Sequence, residues 1–149
     1  MSKPKLYLDN CCFNRPFDDQ SQLRIRLETE AKLFIQQQVQ EGRIEIFWSA
    51  VLDFEIKQSP YQSRQETFDI FRRLSQTIVD IDDGTRRSAL DFQERGLVLV
   101  DALHVACAVK AGCDYFITVD KRILNKTITE IEVLNPIQFV QFHENDFST

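Results

Sequence analysis

The stretch that decides the fold runs from residue 97 to residue 120 and reads Leu97-Val-Leu-Val-Asp101-Ala-Leu-His104-Val-Ala-Cys-Ala-Val-Lys-Ala-Gly112-Cys-Asp-Tyr115-Phe-Ile-Thr118-Val-Asp120. Residues 102–109 are apolar on almost every side, which predicts a helix buried in the centre of the protein. Gly112 supplies the end of this helix. Residues 115–119 strongly favour a strand, which ends on Asp120. The stretch therefore predicts a buried helix that leads into a buried strand.

The alternation of helix and strand continues on both sides of this stretch. Further short apolar strands are predicted at residues 5–8, 44–48, 78–81 and 131–134. Helices are predicted from Ser21 to Gly42, from Ser49 to Ser59, and over residues 64–74, 86–94, 121–124 and 136–142. Because no two-residue hairpin signal joins two strands, the strands are expected to lie parallel in a sheet that helices cover on both faces. Residues 1–149 are therefore predicted to form a single α/β domain.

The composition excludes several classes of protein. Lysine and arginine number 18 against 23 aspartates and glutamates, and the net charge of −5 argues against a broad basic face that coats nucleic acid. No apolar run approaches the roughly 18 residues of a membrane span, and the N-terminus lacks the apolar core of a secretory signal. The protein is therefore expected in the cytoplasm, away from membranes, with Cys11, Cys12, Cys107 and Cys113 reduced.

Acidic residues stand where predicted strands end. Asp9 follows the first strand, and Asp120 ends the strand of residues 115–119. The carboxyl ends of parallel strands share one edge of the sheet, where ligands bind. Asp101 begins the buried helix, and Glu55 lies about two turns into the helix that follows the second strand. We therefore expect these four carboxylates to converge at one edge.

Converging carboxylates are costly unless a cation neutralises them. Hard oxygen ligands favour Mg²⁺ or Mn²⁺, and such ions stabilise the attacking and leaving oxygens of a phosphodiester displacement. The sequence thus predicts a metal-dependent site for phosphoryl transfer or hydrolysis. Neutralising Asp120 is expected to relieve part of the repulsion and to stabilise the metal-free protein.

Each acid also has an ordinary structural alternative. Asp9 fits a turn after a strand, Asp101 and Asp120 fit helix N-caps, and Glu55 fits a solvated helix position. Asp53 competes with Glu55 for the cleft. Two residues apart on a helix, however, they point to different faces, so only one of them can lie there.

Four segments of the chain carry a family resemblance when they are taken together. They are Tyr7-Leu-Asp9-Asn10-Cys11, Ser49-Ala-Val-Leu-Asp-Phe-Glu55, Leu99-Val-Asp101-Ala-Leu-His104-Val-Ala-Cys-Ala and Tyr115-Phe-Ile-Thr118-Val-Asp120. Together they resemble the PIN domain, and the toxin nucleases of toxin–antitoxin pairs are among the similar members. The last two segments are the most specific, and the resemblance covers nearly the whole chain.

The resemblance implies a three-layer α/β/α fold with a central parallel sheet and a ribonuclease centre that depends on Mg²⁺ or Mn²⁺. Its catalytic acids correspond to Asp9, Glu55, Asp101 and Asp120, of which Asp9, Asp101 and Asp120 would ligate the metal. Thr118 corresponds to a polar helper that is expected to contact the substrate. The implied partners are RNA, an antitoxin protein if the chain is a toxin, and a second copy in a homodimer.

The chain departs from the family pattern near the first acid. Cys11 stands where the family often has Ser or Asn, and Asn10 precedes it. Asn10 and His104 are expected to lie behind the acids and support them rather than bind metal. The segment of residues 14–20 is also longer than a small toxin would have.

Positive charges near the acids in sequence are candidates for phosphate contacts. They are Arg15, Lys121, Arg122 and Lys126. Arg64 is far from the acids in sequence and is expected to lie outside the RNA path. Glu28 is expected to be a solvated acid, with Glu30 a weaker candidate for a fifth acidic contact.

The leading functional hypothesis is a metal-dependent endoribonuclease in the role of a toxin. One alternative is a catalytically degenerate PIN-like module that serves binding or assembly. Another is a phospho-acceptor receiver domain, suggested by Asp82-Asp83, Thr118 and Lys121. A receiver, however, needs its acidic pair after the first strand, and Asp82-Asp83 lies past the middle of the chain.

Overall fold

The computed structural model describes residues 3–147 and contains a five-stranded sheet in the order β3-β2-β1-β4-β5. The strands are β1 (Lys5–Leu8), β2 (Glu45–Ser49), β3 (Ile78–Val79), β4 (Tyr115–Ile117) and β5 (Glu132–Leu134). All neighbouring strands run parallel, and Leu6 of the central strand pairs with Ile46 on one side and Tyr115 on the other. The predicted parallel α/β sheet is confirmed.

Helices connect the strands and cover the sheet. They are α1 (Asn10–Asn14), α2 (Leu23–Gln40), α3 (Ala50–Lys57), α4 (Gln65–Leu74), α5 (Asp83–Glu94), α6 (Leu99–Lys110), α7 (Lys121–Leu124) and α8 (Pro136–His143). The chain builds outward from β1 to β3 and then crosses back to β4 on the other side of β1. Right-handed crossovers therefore place α2 on one face and α5 and α6 on the other, which gives the three-layer fold. Among residues 3–147, no helix is both long and apolar enough to cross a bilayer.

The core lies against both faces of the central strand. Leu6, Tyr7 and Leu8 are all buried, as expected of a strand that is covered on both sides. The Tyr7 ring stacks on Phe116, its neighbour in register on β4, with ring centroids 5.5 Å apart. Six of the twelve residues of α6 are buried and only the two end residues are exposed, which confirms the central helix that its apolar sequence predicts.

Helix α1 is the main element that the sequence prediction missed. Asn10 and Asn14 at its two ends are turn formers, and five residues carry little helical signal by themselves. Asp9 caps α1 by accepting a hydrogen bond from the Asn10 backbone N–H at 2.8 Å. The helix also buries Phe13 against Trp48 and Phe71, with ring centroids 5.4 and 5.1 Å apart. Long-range packing therefore forms a helix that local propensity does not.

Candidate functional site

The site lies where the chain leaves β1 and β4 in different directions. After β1 the chain leads toward β2, and after β4 it leads toward β5 on the opposite side, so a crevice opens beyond the two carboxyl ends. The Asp9 backbone N–H donates to Ile117 at 2.9 Å, which sets Asp9 beside the end of β4. Topology thus brings together Asp9 and Asp120, which lie far apart in sequence.

Thr118 forms hydrogen bonds to both acids at the strand ends, Asp9 and Asp120. Its hydroxyl donates to Oδ2 of Asp9 at 2.8 Å and accepts from the backbone N–H of Asp120 at 3.0 Å. Thr118 is fully buried and Asp9 nearly so. The prediction placed Thr118 against the substrate, whereas burial places it behind Asp9.

Cys11 supplies a second contact to the same carboxylate. Its Sγ lies 3.4 Å from Oδ2 of Asp9 and 3.3 Å from the Thr118 hydroxyl. A hydrogen bond to Cys12 and burial raise the pKa of the Cys11 thiol well above its usual value, so the thiol keeps its proton and can donate. Asn10 contributes its backbone N–H to Asp9, while its side chain oxygen lies toward Asn14.

Glu55 reaches the site from α3, which begins at the end of β2. Ser49 caps this helix by accepting from the Leu52 N–H at 3.2 Å. Glu55 contacts Nε2 of His104, a buried side chain of α6 that also lies 3.9 Å from Oδ1 of Asp9. Asp53 instead accepts a hydrogen bond from Trp48 at 2.7 Å, so Glu55 is the acid that α3 brings to this group.

A buried hydrogen-bond chain stands behind His104. The Tyr7 hydroxyl lies 2.6 Å from Nδ1 of His104 and 2.6 Å from the Ser49 hydroxyl. Burial raises the pKa of Tyr7 well above its usual value, so the phenol keeps its proton and can donate to Nδ1. Because the Glu55 carboxylate accepts, Nε2 of His104 carries the N–H of their contact whether the ring is neutral or protonated.

His104 also responds to the negative charge around it. Burial alone would lower the pKa of its imidazole, but the hydrogen bond to Glu55 and the charges of Asp9, Glu55 and Asp101 raise the pKa overall. Sequence reasoning did not single out Tyr7 as part of the site. A tyrosine within a buried strand was the available signal, because a buried phenol hydroxyl needs a polar partner.

Asp101 lies in the first turn of α6, whose N-cap is Val98. Burial and the charges of Asp9 and Asp120 raise the pKa of Asp101 to about 6. The N-cap alternative for Asp101 is therefore wrong, and its carboxylate lies within electrostatic range of the strand-end acids.

Asp120 is both a helix cap and a member of the acidic group. Its carboxylate accepts from the Arg122 backbone N–H at 2.9 Å, which caps α7, and it pairs with the Arg122 guanidinium at 2.8 Å. These hydrogen bonds lower the pKa of Asp120. The structure therefore assigns Arg122 a carboxylate partner, where the sequence predicted substrate contact.

The donor atoms present suit a hard divalent cation. Potential ligand atoms of Asp9, Glu55 and His104 lie within 4.8 Å of one another. Both ring nitrogens of His104 already have hydrogen-bond partners, so the two carboxylates are the available ligands. Carboxylate oxygens are the preferred ligands of Mg²⁺ and Mn²⁺. Asp101 adds to this region a carboxylate whose pKa is raised by its burial and by the negative charges of Asp9 and Asp120.

The other basic residues that were predicted to contact phosphate differ in their partners. Arg15 pairs with Asp18 at 2.9 Å and with Glu28 at 3.2 Å. Glu28 is only 1% exposed, so the expectation of a solvated acid is wrong. Lys121 is exposed, and Lys126 lies against Gly96.

Comparisons with known proteins agree with this architecture. The model of the family described as PIN domain matches residues 6–128. Among 18 chains of solved structures that match, one is described as VapBC2 from Rickettsia felis bound to a DNA fragment from their promoter. It shares 14% sequence identity, with a TM-score of 0.55, over 88% of this chain and 98% of that chain. No curated protein matches the sequence.

Proposed function

The chain belongs to the PIN domain family, and from this premise we propose that it is a metal-dependent endoribonuclease that hydrolyses RNA phosphodiester bonds. The observation that carries the proposal is the proximity of Asp9 and Glu55, whose carboxylate oxygens lie within 4.8 Å of each other. Asp101 supports it, because the charges of Asp9 and Asp120 act on its carboxylate. Negative charge concentrated in a partly buried site favours a divalent cation over any neutral occupant.

The four acids have distinct roles in this proposal. Asp9, Asp101 and Asp120 would hold Mg²⁺ or Mn²⁺, with Glu55 beside them. When bound, such a cation supplies Lewis-acid stabilisation to the attacking and leaving oxygens of an in-line displacement. His104 donates to Glu55 and orients it.

The surrounding residues fix geometry and bind the strand. Thr118 and Cys11 donate to Asp9 and keep its carboxylate in one orientation, which preserves the alignment that catalysis requires. Lys121 is exposed beside Asp120 and contacts a phosphate of the RNA.

Cleavage of a mixed RNA pool tests this function. We expect cuts with Mg²⁺ or Mn²⁺, none with a chelator, and none by Asp101→Asn in either metal. Asp91→Asn is the matched control, because Asp91 is an exposed acid of α5. A parallel pool of single-stranded DNA tells whether the sugar matters, and mapping of the ends gives the preferred sequence.

The same experiment distinguishes the enzyme from a degenerate module. RNA that is bound but left intact in both metals would contradict the endoribonuclease and support a binding or assembly module. RNA that is neither bound nor cut would contradict both.

We further propose that the chain is the toxin of a toxin–antitoxin pair and forms a homodimer. The solved structure with the same fold is described as a VapBC2 complex, which supports testing for such a partner. Induced expression in a bacterial host is expected to arrest growth for the wild type but not for Asp101→Asn. Coexpression of the protein encoded beside this chain is expected to relieve the arrest. Light scattering is expected to give twice the chain mass of 17.5 kDa.

A further inference from the structure

Arg64 joins two segments of the chain that leave the acidic edge. Its guanidinium carbon lies 4.0 Å from the ring centroid of Tyr61 and 4.5 Å from that of Phe17. Its Nη1 donates to the side chain oxygen of Asn14 at 3.1 Å. We call Phe17, Tyr61 and Arg64 the Arg64 cluster. Arg64 was expected to lie outside the RNA path because it is far from the acids in sequence, and its contact with Asn14 brings it to the segment that follows Asp9.

The Arg64 cluster borders the proposed catalytic acids. Asn14 is the last residue of α1, which begins directly after Asp9. Five residues of helix rise about 7 Å, so the contact of Arg64 with Asn14 lies little more than one helical turn from Asp9. Tyr61 follows α3, the helix that carries Glu55. The cluster is thus close enough to contact a nucleotide that flanks the cut bond.

The charge of Arg64 is available to a ligand. Its hydrogen-bond partner is a neutral amide, and no carboxylate within residues 3–147 forms an ion pair with it. Arg15 and Arg122, in contrast, are both paired with acids. In a chain of net charge −5, an arginine without an acidic partner at the acidic edge is suited to hold a phosphate.

The two rings of the cluster are open to solvent. Phe17 is 44% exposed and Tyr61 is 52% exposed, whereas Phe13, Phe68 and Phe71 in the adjoining core are almost completely buried. Phe54 and Phe142 are also exposed, and Phe17 and Tyr61 differ from them in lying against a guanidinium. Exposed rings beside a cation are the combination by which proteins bind single-stranded nucleic acid, because every base has a face that can stack.

We propose that the Arg64 cluster is a nucleobase-binding subsite for single-stranded RNA, with Tyr61 and Phe17 as stacking surfaces and Arg64 as the phosphate contact. The inference rests on the proposed endoribonuclease function and adds to it where the strand lies beside the acids. A protein partner is the less suitable occupant. Two rings bury about 300 to 500 Å², well below the roughly 800 Å² that each partner contributes to a stable interface.

Affinity for a labelled single-stranded RNA, measured with a chelator so that no bond is cut, tests the subsite. We expect Tyr61→Leu and Phe17→Leu to weaken binding roughly 5- to 150-fold, because each removes one stacking surface. Leucine keeps an apolar side chain against Arg64, which protects the fold. Phe142→Leu is the matched control, because Phe142 is 66% exposed on α8, next to His143, which contacts Tyr115 at the amino end of β4.

A series of RNAs with one base removed at a time identifies the stacked nucleotide. At one or two positions, removal of the base should lower the affinity of the wild type for the RNA. For these abasic RNAs, Tyr61→Leu should not lower the affinity any further. Arg64→Ala should reduce the magnitude of the salt slope by about 0.7, and Arg64→Lys should restore it.

Several outcomes would overturn the inference. If wild type cuts and binds RNA and both ring variants bind equally well, the subsite is wrong while the enzyme stands. The subsite is also wrong if Tyr61→Leu lowers the affinity for intact RNA and for every abasic RNA by the same factor. If the ring variants bind RNA normally but lose self-association in light scattering, the cluster is a protein interface. If wild type neither binds nor cuts RNA, the proposed function itself has failed and the subsite with it.

Discussion

The phenol oxygen of Tyr7 lies 2.6 Å from Nδ1 of His104, and both side chains are fully buried. The phenol also meets Ser49, which caps α3, and His104 contacts Glu55 farther along that helix. The central strand and the helices that carry Glu55 and Asp101 are therefore joined by one internal chain of hydrogen bonds.

Removal of the Tyr7 hydroxyl should destabilise the protein. Tyr7→Phe leaves Nδ1 of His104 and the Ser49 hydroxyl without their buried partner, which costs about 1–3 kcal/mol of unfolding free energy. Urea denaturation measures this loss. Tyr115→Phe is the matched control, since that phenol is only partly buried where it meets His143, and it should cost less than about 1 kcal/mol. Equal stability of Tyr7→Phe and wild type would contradict the buried chain.

Asp101→Asn should stabilise the metal-free protein at neutral pH. The pKa of Asp101 is raised to about 6, so the folded state holds this proton more tightly than the unfolded state. Wild type therefore loses stability as pH rises from about 4 to about 6, and the loss is complete above pH 6. Allowing for solvent screening of a half-buried group, the variant should gain about 1–2 kcal/mol at pH 7 and nothing near pH 3.5. Thermal unfolding at the two pH values provides the measurement.

The stability of Asp120→Asn is to be compared with that of Asp101→Asn. The pKa of Asp120 is lowered, and substitution removes the Arg122 ion pair and weakens the cap of α7. The structure therefore replaces the expectation that Asp120→Asn is stabilising with a small loss. If Asp120→Asn stabilised the protein and Asp101→Asn did not, then Asp120, and not Asp101, would be the acid that is destabilised by its neighbours.

Lys32→Met should also stabilise the protein, with the opposite dependence on pH. Lys32 is buried, its ammonium lies 4.9 Å from the Phe71 centroid, and burial lowers its pKa to about 8. The cost of the buried charge is fully present below pH 8, and it disappears as pH rises to about 10.5, where the unfolded lysine also loses its proton. The variant should gain about 2–3 kcal/mol at pH 7. Lys57→Met, at an exposed lysine of α3, should show no such gain; a pH-independent gain would exclude the charge as the cause.

Arg15→Ala should weaken the fold. The substitution removes the guanidinium 3.2 Å from Glu28 and leaves that buried carboxylate with the more exposed Arg24 at 3.6 Å. Breaking a buried ion pair on one side costs about 2–4 kcal/mol. The double variant Arg15→Ala with Glu28→Gln should recover part of the loss. A loss of RNA affinity with unchanged stability would show that Arg15 contacts substrate instead.

Lys121→Ala should alter RNA binding without altering stability. Lys121 is exposed beside Asp120, so its loss should reduce the magnitude of the salt slope by about 0.7 for single-stranded RNA. Arg87→Ala, which removes an exposed charge of α5, should leave the slope unchanged. Equal effects of the two variants would exclude a local phosphate contact.

The proximity of Asp9 and Asp120, which both contact Thr118, could be predicted from the sequence because it depends on topology. Once parallel strands end on Asp9 and Asp120, those two residues must share one edge. The sequence failed where tertiary packing decides the outcome. Buried Glu28 looks like any polar helix position until Arg15 is known to lie 3.2 Å away. Arg64 meets Asn14 across 50 positions, a contact that no local pattern encodes.

The central position of β1 in the sheet has a consequence for biosynthesis. β1 pairs with β2, the next strand along the chain, but its other neighbour, β4, begins only at Tyr115. Asp9 cannot meet Thr118, Asp101 and Asp120 until most of the 149 residues have been translated. Such a late closure of non-local contacts slows folding relative to chains with local contacts. Under the proposed ribonuclease function, a nascent chain therefore carries an unassembled site and cannot cut the messenger from which it is translated until β4 has emerged.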